Sequence, residues 1–200
     1  AYCKELREAG YMFAGHLPGL CPEDSVNEDN YDTYVQYGIE CAKMLRDVWT
    51  AISLTIWTPD SISQFKSMLE NFGCENEEAF VMVSLNLANM IFFYGDTALA
   101  LDIIEPALAY YDNIYKSIVP YPLADIAIIY TLLGNHAKAR KILDNYVLPY
   151  IETCEYNDES FLSPDLICTA QCAAVLAECE QKELATALAD KAFSIVNRLQ

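Results

Sequence analysis

Two side-chain amides, Asn86 and Asn89, stand one helical turn apart in the run from Ala79 to Gly95, seventeen residues that carry no charge. An amide in such surroundings is costly unless it finds hydrogen-bond partners. It can donate and accept at once, so the pair fits two roles: satisfied polar groups between helices, or a clamp on the backbone of a bound peptide. Few other residues offer chemistry. His16 lies in a loop-like stretch without an assignable partner, and His136 opens a helical segment where packing accounts for it. The chain has no GxSxG, no phosphate-binding glycine loop and no HExxH. Acidic pairs such as Glu77-Glu78 and Asp158-Glu159 read as solvated helix-start or loop charges. An enzyme is not expected.

The eight cysteines, at positions 3, 21, 41, 74, 154, 168, 172 and 179, form no CxxC pair and accompany no histidine cluster. Neither zinc nor another cofactor is implied. Cys168 and Cys172 lie one turn apart on one helix, a poor geometry for an unstrained disulfide. Thiols scattered through apolar helical faces, as in Cys172-Ala-Ala-Val-Leu, behave as small core hydrophobes in a reducing compartment. A cytoplasmic location follows as the expectation, with an extracellular disulfide framework as the competing reading.

A 54% hydrophobic content with 20% charged residues excludes wholesale disorder. The formal net charge of −17 repels phosphate backbones, so direct nucleic-acid binding by this segment is not expected. Its simpler role is to keep an apolar helical chain in solution. Two hundred residues suffice for one elongated domain or two compact ones. The chain opens on Ala1 without a signal-peptide pattern, which suits a segment of a longer protein. The uncharged run 79–95 is at the short limit for a membrane span and is bounded by Glu78 and Asp96, so it reads as a buried helix, with no membrane association.

The elements that must position these residues are helices. A first is expected over 2–14, followed by a loop over 16–30 with two prolines, a glycine and an acidic run. A long helix from about Tyr34 to Trp57, with N-caps offered by Asp29, Asn30, Asp32 and Thr33, carries so many apolar residues that it should be buried on two sides. Thr58-Pro59-Asp60-Ser61 starts the next helix, whose apolar stripe is Ile62, Phe65, Met68 and Leu69. Pro106 should kink or divide its helix, and Pro149 should end the one that begins after Gly134. Ile118-Val119-Pro120 is the one β-like fragment. The periodicity predicts about nine helices, grouped as residues 1–30 and then pairs at about 34–72, 77–118, 122–154 and 165–199.

The pairs repeat. Leu87-Ala88, Gly95, Ala100 and Ala107 match Ile126-Ala127, Gly134, Ala139 and Tyr146 at an offset of 39. Cys172-Ala173, Glu180, Ala185 and Ala192 follow at a further 46. Small residues at such points let two helices approach closely. This pattern resembles the tetratricopeptide repeat, clearly over 79–200 and in outline over 34–72. It departs from it where Ser84 and Leu123 replace a bulky aromatic, where Glu180 replaces the turn glycine, and in repeat length. The longer repeats are similar to those in sensor regions of bacterial transcription regulators.

The resemblance implies an all-α, right-handed α-solenoid over 31–200 in which the first helix of each pair lines a concave, peptide-binding groove. Carried over in register, Asn86 and Asn89 face that groove in one repeat, Tyr121 and Asp125 in the next, and Gln171 in the last, with Phe92 and Phe93 supplying apolar contact or packing between helices. The carboxylate-clamp variety of the family wants Lys and Arg where this chain has Leu85, Ala124 and Asp125, so that activity is disfavoured. The implied function is a non-catalytic module for a protein or peptide partner. The alternative is the sensory region of a transcription regulator whose DNA-binding part lies outside this chain. A homo-oligomeric scaffold is a third reading.

Overall fold

The computed structural model describes residues 31–54, 58–71, 77–114, 121–154 and 164–198. Among them every regular element is helical and none is a strand. The expected helix over 2–14, the loop over 16–30 and the fragment Ile118-Val119-Pro120 lie outside the described residues. The helices are α1 (Tyr31–Ser53), α2 (Pro59–Asn71), α3 (Glu77–Phe93), α4 (Thr97–Ile114), α5 (Tyr121–Leu132), α6 (136–153), α7 (Pro164–Glu178) and α8 (Lys182–Arg198). The first four form one compact unit and the last four another.

In the first unit α3 and α4 make an antiparallel hairpin, and α1 packs against both. The buried residues of α1, Cys41, Ala42, Leu45, Val48 and Trp49, share one face, and Met44 is 50% exposed, so the two-sided burial expected of this helix is not seen among the described residues. Asp32 and Thr33 fall inside α1 rather than at its cap, because the helix begins at Tyr31. Trp49 is fully buried, with its ring 5.5 Å from Phe80 and 5.4 Å from Tyr110. On α2 Ile62 is exposed, so its expected place in an apolar stripe does not hold for that residue. In the second unit α5 and α6 form one hairpin and α7 and α8 another, and α7 packs against both helices of the hairpin before it.

The three hairpin turns are built alike. Gly95 and Gly134 have φ of +101° and +74°, and Glu180, at the corresponding place, has φ of +61°. Each turn closes with the same two backbone bonds. Gly95 N–H donates to Phe92 O and Asp96 N–H to Ile91 O, Gly134 to Thr131 and Asn135 to Tyr130, and Glu180 to Ala177 and Gln181 to Leu176. This is the Schellman closure, which satisfies carbonyls at the end of a helix and requires a left-handed residue. The next helix is then capped where the side chain permits. Asp96 accepts from Leu99 N–H at 3.0 Å and Asn135 from Lys138 N–H at 3.2 Å. The small residues of the repeat, Ala88, Ala127, Ala100, Ala139 and Ala107, are all fully buried.

Neither proline ends or divides its helix. Pro106 lies inside α4, which runs undivided from Thr97 to Ile114. Pro149 does not end α6. The chain winds as an α-helix over His136–Ile142, widens into a π-helical turn over Leu143–Val147, and returns to α over Leu148–Thr153. Leu148 N–H reaches back five residues to Leu143 O. Proline has no N–H and its ring crowds the carbonyl four residues earlier, and a widened turn just before it relieves both conflicts.

Candidate functional site

On α3 the buried residues are Phe80, Val81, Ser84, Leu85, Leu87, Ala88 and Ile91. Met82, Asn86, Asn89 and Phe93, at helical spacing, form a half-buried stripe beside them. The Asn89 Oδ1 atom is buried and accepts no hydrogen bond among the described residues. Trp49 Nε1, in the same unit, is likewise a buried donor without an acceptor. Phe92 and Phe93 meet edge to face, with centroids 5.4 Å apart, and both are half-buried. The stripe thus presents two amides between a thioether and an aromatic ring.

The corresponding stripe on α5 is Tyr121, Asp125 and Ile128, all half-buried. Asp125 accepts a hydrogen bond at 2.6 Å from Gln171 Nε2 on α7. Burial pushes the Asp125 carboxyl up to about 6, and the Gln171 amide only partly offsets it. Asn86, Asp125 and Gln171 occupy the same place in three hairpins, so the repeat sets one polar residue at this point of each first helix. Two of the sequence-predicted residues are thereby brought together.

Tyr121 belongs to a different cluster. Its hydroxyl donates to Asp165 Oδ1 at 2.6 Å, Tyr150 donates to the same oxygen at 2.7 Å, and the two phenol oxygens are 3.2 Å apart. The rings meet edge to face at 6.0 Å. Burial and then the bond to Asp165 push the Tyr121 hydroxyl up to about 12, and burial raises Tyr150 as well. For Asp165 burial acts upward, but the hydrogen bonds from Tyr121, Tyr150 and Cys154 outweigh it and hold the carboxyl below its usual range. The cluster ties the start of α5, the end of α6 and the start of α7 together. Sequence reasoning missed Tyr150, and it placed Asp165 only as the first residue of the pair expected at about 165–199. The signal present was Pro164-Asp165 itself, but the partners come from 44 and 15 residues away.

Cys179 Sγ lies 3.9 Å from His136 Nδ1 and 3.6 Å from His136 O. Its thiol is nevertheless raised, by burial first and by Glu178 and Asp144, against the lowering effect of Arg140, which is the reverse of an activated nucleophile. Arg140 is held by Asp144 through two contacts of 2.7 Å. The Cys172 thiol is also raised, by its hydrogen bond with Cys168 and by burial. Among the described residues no group of three or more His, Cys, Asp or Glu side chains is arranged to hold a metal ion, and no helix is long and apolar enough to cross a membrane. Compared with known proteins, the chain matches no family model, no curated protein and no solved structure.

Proposed function

We propose that this chain is a non-catalytic module that binds a peptide or protein segment along the first helices of its hairpins, in a tetratricopeptide-like, right-handed solenoid working in the cytoplasm. The observation that carries the reading is the buried, unpartnered Oδ1 of Asn89. A buried acceptor left without a donor costs about 1–3 kcal/mol, and rotation of the half-buried Asn89 side chain toward a ligand backbone N–H would recover it. Asn86 stands three residues earlier on the same half-buried stripe and supplies a second amide, while Met82 and Phe93 supply flanking apolar surface. An extended backbone offers donors and acceptors in the alternation that such amides can read. Within the second unit Asp125 and Gln171 tie α5 to α7 through their own hydrogen bond.

The turn-to-turn spacings of 39 and 46 residues, against about 34 in standard tetratricopeptide repeats, support a second reading as the sensor region of a regulator whose ligand alters solenoid curvature. A helix-turn-helix module adjoining this segment in the full gene would favour it. The primary reading is tested by affinity capture with the chain as bait, followed by mass spectrometry. A partner retained by the wild type and lost by the Asn86→Ala/Asn89→Ala variant is the expected result, and a partner set identical for the two would count against the site.

A further inference from the structure

The hairpin that carries the two amides is also the one without a positive charge. Between Lys66 and Lys116 the sequence holds no Lys, Arg or His, while Glu77, Glu78, Asp96, Asp102, Glu105 and Asp112 lie in α3, in α4 or at the turn between them. The hairpins of the second unit differ, with Lys138, Arg140 and Lys141 on α6 and Lys182, Lys191 and Arg198 on α8. The negative field of α3 and α4 is therefore local, and is more than an even share of the net charge of −17.

One of these acids stands on the amide stripe itself. Glu78 precedes Met82 by four residues, so Glu78, Met82, Asn86, Asn89 and Phe93 follow one another along one side of α3, all half-buried. Glu77 beside it accepts a hydrogen bond from Tyr110 at 2.6 Å, whereas Glu78 has no ion pair among the described residues. Its field reaches Tyr111, whose phenol is raised by burial first and then by this carboxylate.

We infer, on the reading of this stripe as a peptide site, that its occupant is an extended segment of a basic partner, with a Lys or Arg seated against Glu78 about four residues from the backbone groups that meet Asn86. The spacing follows from the geometry of the two chains. Eight residues at about 1.5 Å each set Glu78 about 12 Å from Asn86 along the helix, and an extended segment at about 3.3 Å per residue covers that in about four. Met82 lies between and offers apolar contact to the residues passing over it. An acidic segment would be repelled by every charge of the hairpin, whereas an ammonium or guanidinium gains in Glu78 a carboxylate that no described cation holds. The sign of the field fixes the salt dependence: binding weakens as ionic strength rises.

Selection of a displayed random peptide library on the whole chain, followed by fluorescence anisotropy of the recovered peptides at low and high salt, tests this. The expected peptides carry Lys or Arg, avoid Asp and Glu, bind several-fold more weakly at high salt, and lose about two- to fivefold in affinity to Glu78→Gln. The same peptide with its cation replaced by Gln should bind wild type and Glu78→Gln alike. Asp102→Asn, an exposed acid of α4, should leave the affinity of the basic peptide close to that of wild type. Peptides that depend on Asn86 and Asn89 but are not basic, or whose affinity Glu78→Gln leaves unchanged, overturn the inference and spare the binding site. Peptides that bind Asn86→Ala/Asn89→Ala as well as wild type, or a library that yields none, overturn the site and the inference together.

Discussion

Gln171 donates its side-chain amide to Asp125 across 2.6 Å, joining two residues 46 positions apart that hold the same place in consecutive hairpins. The bond links α5 to α7 at a point where the repeat sets a polar residue in each first helix. It also explains why a carboxylic acid is tolerated there. A protonated or amide-bonded carboxyl can be buried, but an ionised one without a cation nearby cannot be buried cheaply.

Asp125 therefore predicts a pH dependence of stability. Its carboxyl is raised from 3.8 to about 6 in the folded chain, so between these values the folded state binds more protons than the unfolded state. Its contribution is fully present below pH 4 and is lost as pH rises through about 6. Asp125→Asn, which keeps an acceptor for Gln171, should be more stable than wild type above pH 7 by about 1–3 kcal/mol and no different in acid. Chemical denaturation at a series of pH values measures this, and equal stabilities above pH 7 would refute it.

The turn residues predict opposite effects of glycine. Glu180 has a positive φ that costs a residue with a Cβ about 1 kcal/mol, so Glu180→Gly should leave stability equal or raise it by up to about that amount. Gly134→Ala, at φ +74°, should lower stability by about 1–2 kcal/mol. The loss comes from the backbone alone, because a Cβ at Gly134 meets nothing within 4 Å. Thermal melts of the two variants check both signs.

The sequence made the hairpins legible because their turns obey local rules. A glycine at a fixed distance from small residues marks a Schellman closure, and even Glu180 was identifiable as its substitute by register alone. Long-range pairing left no such mark. Tyr150 and Asp165 meet through packing of three helix ends, and nothing in the residues near Tyr150 announces a partner. Pro149 misled for a related reason. Proline usually ends a helix, but the π-helical turn over Leu143–Val147, just before it, lets α6 continue. The candidate site was half legible: the amides of α3 were visible as polar residues in an apolar run, whereas the hydrogen bond between Gln171 and Asp125 required the packing of α7 on α5.

The thiols predict a labelling order. Cys41, Cys154, Cys168, Cys172 and Cys179 form no disulfide with one another, and Cys41, Cys168 and Cys172 are buried while Cys154 and Cys179 are half-buried. Alkylation of the native protein should modify Cys154 and Cys179 first. Under denaturing, non-reducing conditions all five should react, as peptide mass mapping would show. A blocked residue among the five would reveal a bridge that the helical geometry at Cys168 and Cys172 disfavours.

The two tyrosines predict a conditional stability effect. Asp165 is held below its ordinary range by hydrogen bonds from Tyr121 and Tyr150, so the contribution of those bonds is present above the unfolded carboxyl pKa and disappears as pH falls through the folded one. Tyr121→Phe/Tyr150→Phe should destabilise at neutral pH and lose its effect in strong acid. Denaturation midpoints of variant and wild type at the two pH extremes measure the difference, and a pH-independent loss would show packing rather than the carboxylate to be its cause.

The most direct measurement of the binding account is the paired comparison of melting temperature and ligand affinity for Asn86→Ala/Asn89→Ala. Because Asn89 Oδ1 has no partner among the described residues, the account predicts a melting temperature equal to or above wild type. It predicts a concurrent affinity loss on the order of tenfold or more for any captured peptide, from two hydrogen bonds of about 0.5–1.5 kcal/mol each. A destabilisation above about 2 kcal/mol, with affinity unchanged after correction for the folded fraction, would instead assign both amides to helix packing and contradict the account.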